Sequence, residues 1–444
     1  MALGGGTFIA QNKVLPGSYI NVISQAKASA ELSDRGVCAI PTVLGLWEAG
    51  KVKTITNAEF QKDSMALFGY AYTADELKPL RDLFLNVTKA HVYKLPTDGE
   101  VKATCNIGTA KLNGAEGNNL KLNIAETQIT EGVSGYQIET YLGNTLVHTG
   151  VLNLADISSW VNNEYWDINE SIESVSTGWV NFIGGTNGSV QDSSYQLFLD
   201  EIESYTFNTI GYAGTNDTLK QLFATWTKRM RDEVGSKFQC VLHKYHEADY
   251  EGVISVENDV LNDNENDVPN MVYWVTGAEA GCKLNKTLTN SKYTGEYASV
   301  IDTKYTQTEL EEGLKSGQFI FHKVNDDVRL LDDINTFVSV TDEKSIDFAS
   351  NQTMRVIDQS ANDIASLFAT KYLGNIPNDD SGRISLWNDI LKLNQAMEEL
   401  RAITNFNPDS LKVEKGETKK SVVVTNPIEP VNAMAQLYMT IIVL

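Results

Sequence analysis

The last eleven residues of the chain, Met434 to Leu444, form an uncharged and largely apolar run that needs a partner. In an extended strand, successive side chains point to opposite faces. One face would carry Ala435, Leu437, Met439, Ile441 and Val443, and the other Tyr438, Ile442 and Leu444. A strand that is apolar on both faces is typical of a sheet interior, and left unpaired it promotes aggregation. We therefore predict that residues 433–444 form an arm strand that another sheet receives.

The N-terminal segment, residues 1–20, also lacks a core of its own. Gly4, Gly5 and Gly6 give its backbone unusual freedom. Its apolar residues, too few to build a core, are Phe8, Ile9, Val14 and Leu15. Such a segment frays unless it docks on another surface. We predict a second arm here.

Between the arms, the chain is long and apolar enough for several packed domains. Its 444 residues exceed what one core usually serves, and 42% of them are hydrophobic. Alternating apolar residues predict strands at 136–142, Gly143-Asn144 predicts a hairpin turn, and spacings of three and four predict helices at 217–234, 354–368 and 386–400.

The predicted fold class is a mixed α+β and α/β multidomain fold with an inserted small antiparallel β domain. The predicted divisions are 1–20 (N-terminal arm), 21–96 (N-terminal α/β domain), 97–180 (β-rich, sandwich-like domain), 181–345 (α/β core domain), 346–432 (C-terminal helices and strand) and 433–444 (C-terminal arm strand).

Charge and cysteine content exclude several function classes. The formal charge of −22 disfavours binding to nucleic acid or to anionic membranes, because the surface repels phosphates. The four cysteines are widely separated, which predicts neither a zinc site nor a disulfide framework. The N-terminus lacks the pattern of a secretion signal, and no apolar run reaches the roughly 18 residues of a membrane span. We expect a protein that folds in a reducing cytosol.

Two glycine-rich segments resemble nucleotide-binding loops only superficially. Residues 184–188 follow a strand and precede a helix, but their pattern is neither GxGxxG nor GxxxxGK[ST]. We interpret them as a tight strand-to-helix turn. In residues 277–283, Cys282 separates the glycine from the lysine, so a helix end at Gly281 is the better interpretation.

Two polar segments could in principle hold metal ions. His243, His246, Glu247 and Asp249 do not have the order of an HExxH motif, and we favour a solvated loop. Residues 263–267 lack the glycine and the bidentate glutamate of a calcium loop, which favours an acidic surface loop. We predict no catalytic residue, cofactor or metal.

Two charge clusters have two open interpretations. The basic cluster is Lys412, Lys415, Lys419 and Lys420, and the acidic cluster is Asp326, Asp327, Asp332 and Asp333. They are either solvated faces or complementary patches that meet across copies of the chain.

Several segments together resemble contractile tail sheath proteins of the PBSX-prophage type and of R-type bacteriocins. The matching segments, in the order of that family, are MALGGGTFIAQNKVLPGSYINVIS at the N-terminus, 33–36, 68–70, 110–120, 184–188, 249–258, 275–281 and the C-terminal helices and strand. The likeness spans essentially the whole chain.

The resemblance implies a non-enzymatic structural subunit with no cofactor. Such subunits stack as hexameric rings around an inner tube, and contraction on baseplate triggering drives the tube through a cell envelope. The α/β core is completed by N- and C-terminal segments, and both arms add strands to neighbouring subunits. Expected hinges are Gly4, Gly5, Gly6, Pro427 and Pro430.

The partners implied are further copies of the chain, the inner tube protein, and baseplate and tail-terminator proteins, with no nucleic acid and no membrane. The particle would be a virion or tailocin, assembled in the host cytoplasm and released by lysis. Two alternatives stay open: a capsid or other virion shell protein, and an α/β enzyme that uses residues 184–188.

Overall fold

The computed structural model describes residues 32–112, 114–130, 133–161, 163–169 and 171–443. The predicted N-terminal arm, with Gly4, Gly5, Gly6, Phe8, Ile9, Val14 and Leu15, lies outside the described residues.

The strands are β1 (Val37–Thr42), β2 (Val52–Thr56), β3 (Lys89–Lys94), β4 (Thr97–Asp98), β5 (Thr104–Cys105), β6 (Gly108–Ala110), β7 (Leu120–Thr130), β8 (Val133–Leu142), β9 (Thr145–Leu152), β10 (Trp166–Ile168), β11 (Gly178–Asn181), β12 (Ser189–Val190), β13 (Thr209–Tyr212), β14 (Gln239–His243), β15 (Val253–Val256), β16 (Gln318–Phe319), β17 (Phe321–Val324), β18 (Asp327–Leu330), β19 (Ile403–Thr404), β20 (Lys412–Lys415), β21 (Val422–Thr425) and β22 (Glu429–Pro430). The α-helices are α1 (Asn57–Phe68), α2 (Lys78–Phe84), α3 (Asp192–Ile202), α4 (Asp217–Arg229), α5 (Met271–Gly281), α6 (Gln307–Lys315), α7 (Asn351–Leu367) and α8 (Asp380–Glu399).

The chain forms two compact units. The larger contains residues 34–359, 400–402 and 430–443, and the smaller contains residues 32–33, 360–399 and 403–429. The sequence placed a domain boundary at 345/346, whereas the larger unit extends through the first half of α7. The physical reason is a set of buried polar contacts made by that half-helix, described below.

The larger unit is built on a seven-stranded sheet with strand order β16-β15-β14-β13-β1-β3-β2. Every neighbouring pair is parallel except β2 and β3. Strands such as β14 and β15 are buried along their whole length, as expected where helices cover both faces of a parallel sheet. The sequence assigned 21–96 and 181–345 to separate domains, but their strands share this sheet, because the two neighbours of β1 are β3 and β13.

Helices cover both faces of this sheet. α3 and α4 bury Phe198, Phe223 and Trp226 in one core cluster with strand residues. α5 buries Met271 and Trp274 in another. Asn216 caps α4, since its side chain accepts hydrogen bonds from the backbone N–H groups of Thr218 and Leu219.

Close packing of α5 on α2 explains the glycines at 277 and 281. A Cβ atom at Gly277 would overlap the carbonyl oxygen of Leu83, and one at Gly281 would overlap that of Asn86. The helix ends at Gly281, as the sequence indicated. The glycines therefore serve helix packing.

A small β domain is inserted between β3 and α3. It contains the sheets β10-β6-β5 and β11-β7-β8-β9, which enclose a core that includes Trp160, Trp166 and Phe182. The predicted hairpin turn at Gly143-Asn144 is confirmed, because Leu142 pairs with Thr145 and Gly143 has a φ of 60°. β4 and β12 pair at the base of the insertion.

A buried ionic network joins α7 to the α/β core. Arg355 is 1% exposed, and its guanidinium lies 2.5 Å from Glu279 of α5 and 2.7 Å from Asp333. One turn later, Asp358 accepts two hydrogen bonds from the buried Arg231, at 2.6 and 2.8 Å. Burial and the nearby Asp333 raise the pKa of Glu279 well above its usual value. Burial opposes ionisation of Asp333 too, but the charge of Arg355 lowers its pKa to about 2.

The smaller unit packs the second half of α7 against α8 and a hairpin. Its core contains Leu367, Leu386, Ile390, Leu393 and Leu411. The helices predicted from the spacing of 354–368 and 386–400 are confirmed, with α7 followed by a π-helical turn, Phe368–Tyr372.

Arg355→Met tests the network. Removal of Arg355 leaves the buried Asp333 carboxylate without its counter-charge and Glu279 without a hydrogen-bond donor, so the free energy of unfolding should fall by about 3–5 kcal/mol. Arg329→Met is the matched control, because Arg329 makes a partly exposed ion pair with Asp327 worth at most about 1 kcal/mol. Denaturant unfolding measures both, and equal losses would contradict the role of Arg355.

Glu116→Gln tests a second buried carboxyl. Glu116 is 3% exposed and accepts a hydrogen bond from Gly45 at 2.9 Å, and burial raises its pKa to about 7 despite the nearby Lys94. Because the folded state then binds the proton more tightly than the unfolded state, this group stabilises the fold below about pH 4.5 and the contribution is lost as pH rises through 7. Thermal unfolding between pH 4.5 and 7.5 should show a smaller loss of stability in the variant than in the wild type. The exposed Glu126→Gln is the control, and parallel curves for all three proteins would refute the assignment.

Candidate assembly surfaces

The C-terminal tail is fixed at its root by backbone and side-chain hydrogen bonds. Val431 donates its N–H to the carbonyl of Ala402 at 2.9 Å. Ala433 donates to the Gln352 side chain at 3.0 Å, and Thr353 donates to Asn432 Oδ1 at 3.2 Å. The tail is thus anchored to the first turn of α7 as far as residue 433. This anchor was not predicted from the sequence, where its only signal is the pair of polar residues Gln352 and Thr353 at the start of the helix.

Beyond this anchor, the tail contacts little of its own chain. Residues 434–443 form no strand within the described structure. Leu437 is 85% exposed, Met439 70%, Ile441 75% and Val443 91%. The predicted arm strand is therefore not formed inside the chain. Its pairing with another copy stays a prediction.

The two predicted C-terminal hinge residues differ in their surroundings. Pro427 is exposed between β21 and β22. Pro430 lies within the short strand β22, next to the hydrogen-bonded Val431. The freely projecting part of the tail begins at Met434, after both prolines. The hinge role of Pro427 and Pro430 stays a prediction.

The hairpin formed by β20 and β21 presents open edges. Val413 pairs with Val424 and Lys415 pairs with Val422, and among the described strands β20 and β21 pair only with each other. Val423 is half exposed. All four lysines of the predicted basic cluster, Lys412, Lys415, Lys419 and Lys420, lie exposed on this hairpin and its turn. A hairpin with two free edges and exposed valines can accept a further strand.

The predicted acidic cluster is not one surface, which corrects the sequence interpretation. Asp333 is 2% exposed and serves as a buried partner of Arg355. Asp332 accepts a hydrogen bond from Thr289 at 2.8 Å, and Asp327 pairs with Lys292 at 2.6 Å. Asp326 is exposed in the turn between β17 and β18. Although these four carboxylates are close in sequence, they lie in different environments.

The glycine-rich segment 184–188 packs against residues 114–119. The Asn118 side chain exchanges two hydrogen bonds with the backbone of Gly185, at 2.8 and 2.9 Å. Asn187 Oδ1 accepts from the backbone N–H of Ala115 at 2.9 Å. Two segments that carried the family resemblance therefore contact each other, and the second connects β11 to β12 and α3.

The histidine and aspartate segments make internal contacts. His243 lies 2.9 Å from Asp259, and His246 lies 3.4 Å from Glu257. Burial lowers the pKa of His243 despite the neighbouring carboxylate. Asp267 accepts hydrogen bonds from three asparagine side chains: Asn262, Asn264 and Asn270. Across the part of the chain that the structure describes, no group of three or more His, Cys, Asp or Glu side chains is arranged to hold a metal ion, and no helix is long and apolar enough to cross a membrane.

Family comparisons match most of the chain outside the inserted β domain. The family model described as the phage tail sheath protein central domain matches residues 188–336, and the phage tail sheath C-terminal domain matches residues 343–443. The second match runs from shortly before α7 through the exposed tail.

Individual relatives extend the match to the whole chain. The Phage-like element PBSX protein XkdK of Bacillus subtilis (strain 168) is 27% identical over 473 aligned positions, which cover 99% of each chain. The tail sheath protein of Clostridium phage phiCD119 is 24% identical over 189 residues, or 42% of this chain and 52% of the relative.

Solved structures with the same fold include known sheath proteins. The sheath tail protein from Desulfitobacterium hafniense is 29% identical with a TM-score of 0.79, over 93% of this chain and 96% of that one. The helical sheath of the anti-feeding prophage in the contracted state shares the fold at 12% identity, with a TM-score of 0.54 over 96% of this chain and 98% of that one. The chain belongs to the phage tail sheath protein family.

Proposed function

We propose that the chain is the structural subunit of a contractile tail sheath. It polymerises as stacked hexameric rings around an inner tube and shortens when a baseplate triggers it, driving the tube through a cell envelope. The observation that carries this proposal is an uncharged tail, anchored at its root and exposed beyond it, in a chain of the tail sheath family.

The tail of one copy adds a strand to the hairpin β20–β21 of a neighbouring copy. The tail offers apolar side chains on both faces, and the hairpin offers open edges and the exposed Val423. Burial of each large apolar side chain contributes about 1.5–3 kcal/mol, and strand pairing satisfies backbone groups that would otherwise need water. The lysines on the hairpin discourage edge pairing between free hairpins, because like charges repel.

Strand addition of this kind produces an open lattice. Donor and acceptor are different surfaces, so each contact leaves another donor and another acceptor free. The N-terminal arm acts in the same way through Phe8, Ile9, Val14 and Leu15. Gly4, Gly5 and Gly6 allow the N-terminal arm to turn, and Pro427 and Pro430 are hinges in the segment that leads into the anchored tail, while the compact units move as rigid bodies.

The work of contraction comes from energy stored during assembly. In the extended sheath the subunits occupy a metastable arrangement, and contraction brings them into contacts of larger buried area. No nucleotide is consumed. The inner tube protein, baseplate and tail-terminator proteins are the further partners, in a virion or tailocin that assembles in the host cytoplasm and is released by lysis.

Truncation after Ala433 tests the arm. Because residues 434–443 are exposed, their removal should leave the unfolding temperature unchanged while abolishing sheath formation in negative-stain micrographs. The full-length chain, purified in parallel, should form cylinders. Normal cylinders from the truncated chain would refute the arm's role, and closed shells from the full-length chain would instead support a capsid protein.

Met439→Pro and Thr440→Pro test backbone pairing directly. Adjacent residues of a strand direct their N–H groups to opposite edges, and proline has none to donate. At least one of the two variants should fail to polymerise, while Met439→Ala and Thr440→Ala should polymerise. Both residues lie in the exposed tail, so folding is unaffected. Normal polymers from both proline variants, measured by sedimentation, would exclude strand addition at this point.

A further inference from the structure

The outward face of the four-stranded sheet in the β domain carries an unusual set of side chains. Across the sheet, Trp179 of β11 pairs with Asn123 of β7, and Asn123 pairs with Glu139 of β8. In the next row of the same face, Lys121 pairs with Tyr141. The residues between them, such as Leu122 and Ile138, are buried in the core, so the residues of these two rows face solvent.

Two aromatic rings form a platform on this face. Trp179 is 58% exposed, although burial of an indole ring normally stabilises a fold. The ring of Tyr141 lies 5.2 Å from that of Trp179, at an angle of 55°. The Lys121 ammonium lies 5.2 Å from the centre of the Trp179 ring and orients it further. The platform is thus held in place while Trp179 stays largely open to solvent.

Polar groups beside the rings are fixed in orientation. Glu139 Oε2 accepts hydrogen bonds from Tyr141 Oη and from Asn123 Nδ2, both at 3.1 Å. Lys121 donates to Asn144 Oδ1 at 3.0 Å. These bonds leave the other Glu139 oxygen, the Asn123 carbonyl oxygen and further Lys121 hydrogens available to a ligand.

This chemistry fits a sugar ring. A pyranose has one face of C–H groups, which packs on the negative face of an aromatic ring, and an edge of hydroxyl groups, which both donate and accept hydrogen bonds. A nucleic acid strand would also stack on aromatic rings, but the carboxylate of Glu139 and the net charge of −22 oppose a phosphate backbone.

We propose that this face binds a neutral polysaccharide. A pyranose ring stacks on Trp179, and its hydroxyl groups bond to Glu139, Asn123 and Lys121. The face is flat and open, so a single site binds weakly. In an assembly that presents many copies, the sites act together on one polymer chain and binding becomes strong.

Affinity electrophoresis of the intact protein tests the proposal. The probes are gels that contain laminarin, dextran or soluble glycol chitin, which supply neutral β-glucan, α-glucan and N-acetylglucosamine chains. At least one polysaccharide should retard the protein. Trp179→Ala should weaken that retardation roughly tenfold or more, Trp179→Phe should keep most of it, and Glu139→Gln should weaken it less than Trp179→Ala does.

Val161→Ala is the matched control, since Val161 is a 72% exposed apolar residue of the same domain outside this sheet. It should be retarded like the wild type, and unfolding temperatures should show that all variants fold. Retardation by none of the three polysaccharides, or retardation that Trp179→Ala does not weaken, would overturn the proposal. If no polysaccharide binds and Trp179→Ala fails to polymerise, the face is a contact between copies of the chain. If the protein binds single-stranded DNA and no polysaccharide, the face is a nucleic acid surface.

Discussion

The buried Arg355 fixes the first half of α7 to the α/β core of the larger unit. Its charge is fully buried and is balanced by Asp333, and its guanidinium also donates a hydrogen bond to Glu279. A buried charge is costly unless it is paired and hydrogen-bonded, so the first half of α7 stays in place only while Arg355 keeps its partners. The first turn of the same helix holds the tail through Gln352 and Thr353. The direction in which the tail leaves the fold is therefore coupled to the ionic network.

Local structure was predictable from the sequence where neighbouring residues decide it. The Asn216 cap, the Gly143-Asn144 turn and the amphipathic helix around Leu386 and Ile390 depend on spacing and on short-range hydrogen bonds. Sheet order was not predictable in this way. Nothing near β1 in sequence indicates that β13, more than 160 residues later, is its neighbour, because parallel strands pair without a local turn.

The candidate assembly surfaces were also predictable only in part. The apolar alternation of the tail was visible in the sequence, and its exposure follows from a chain that offers it no partner strand in the described structure. The environment of Asp333 was not visible, since a run of acidic residues has the same appearance whether it lies in solvent or beside a buried arginine. The exposure of Trp179 was not predictable from the sequence, because it depends on which face of a twisted sheet is covered.

The short antiparallel pair of β4 and β12 bears on how the fold can evolve. Asp98 pairs with Ser189, so the two chain segments that connect the β domain to the α/β core lie side by side. A module whose two ends meet in this way can be replaced by another of different size with little change in chain entropy at the junction. The central family match begins at residue 188, at this same junction. The β4–β12 pair is thus a junction at which a β domain of another size can be inserted without a change in the seven-stranded sheet.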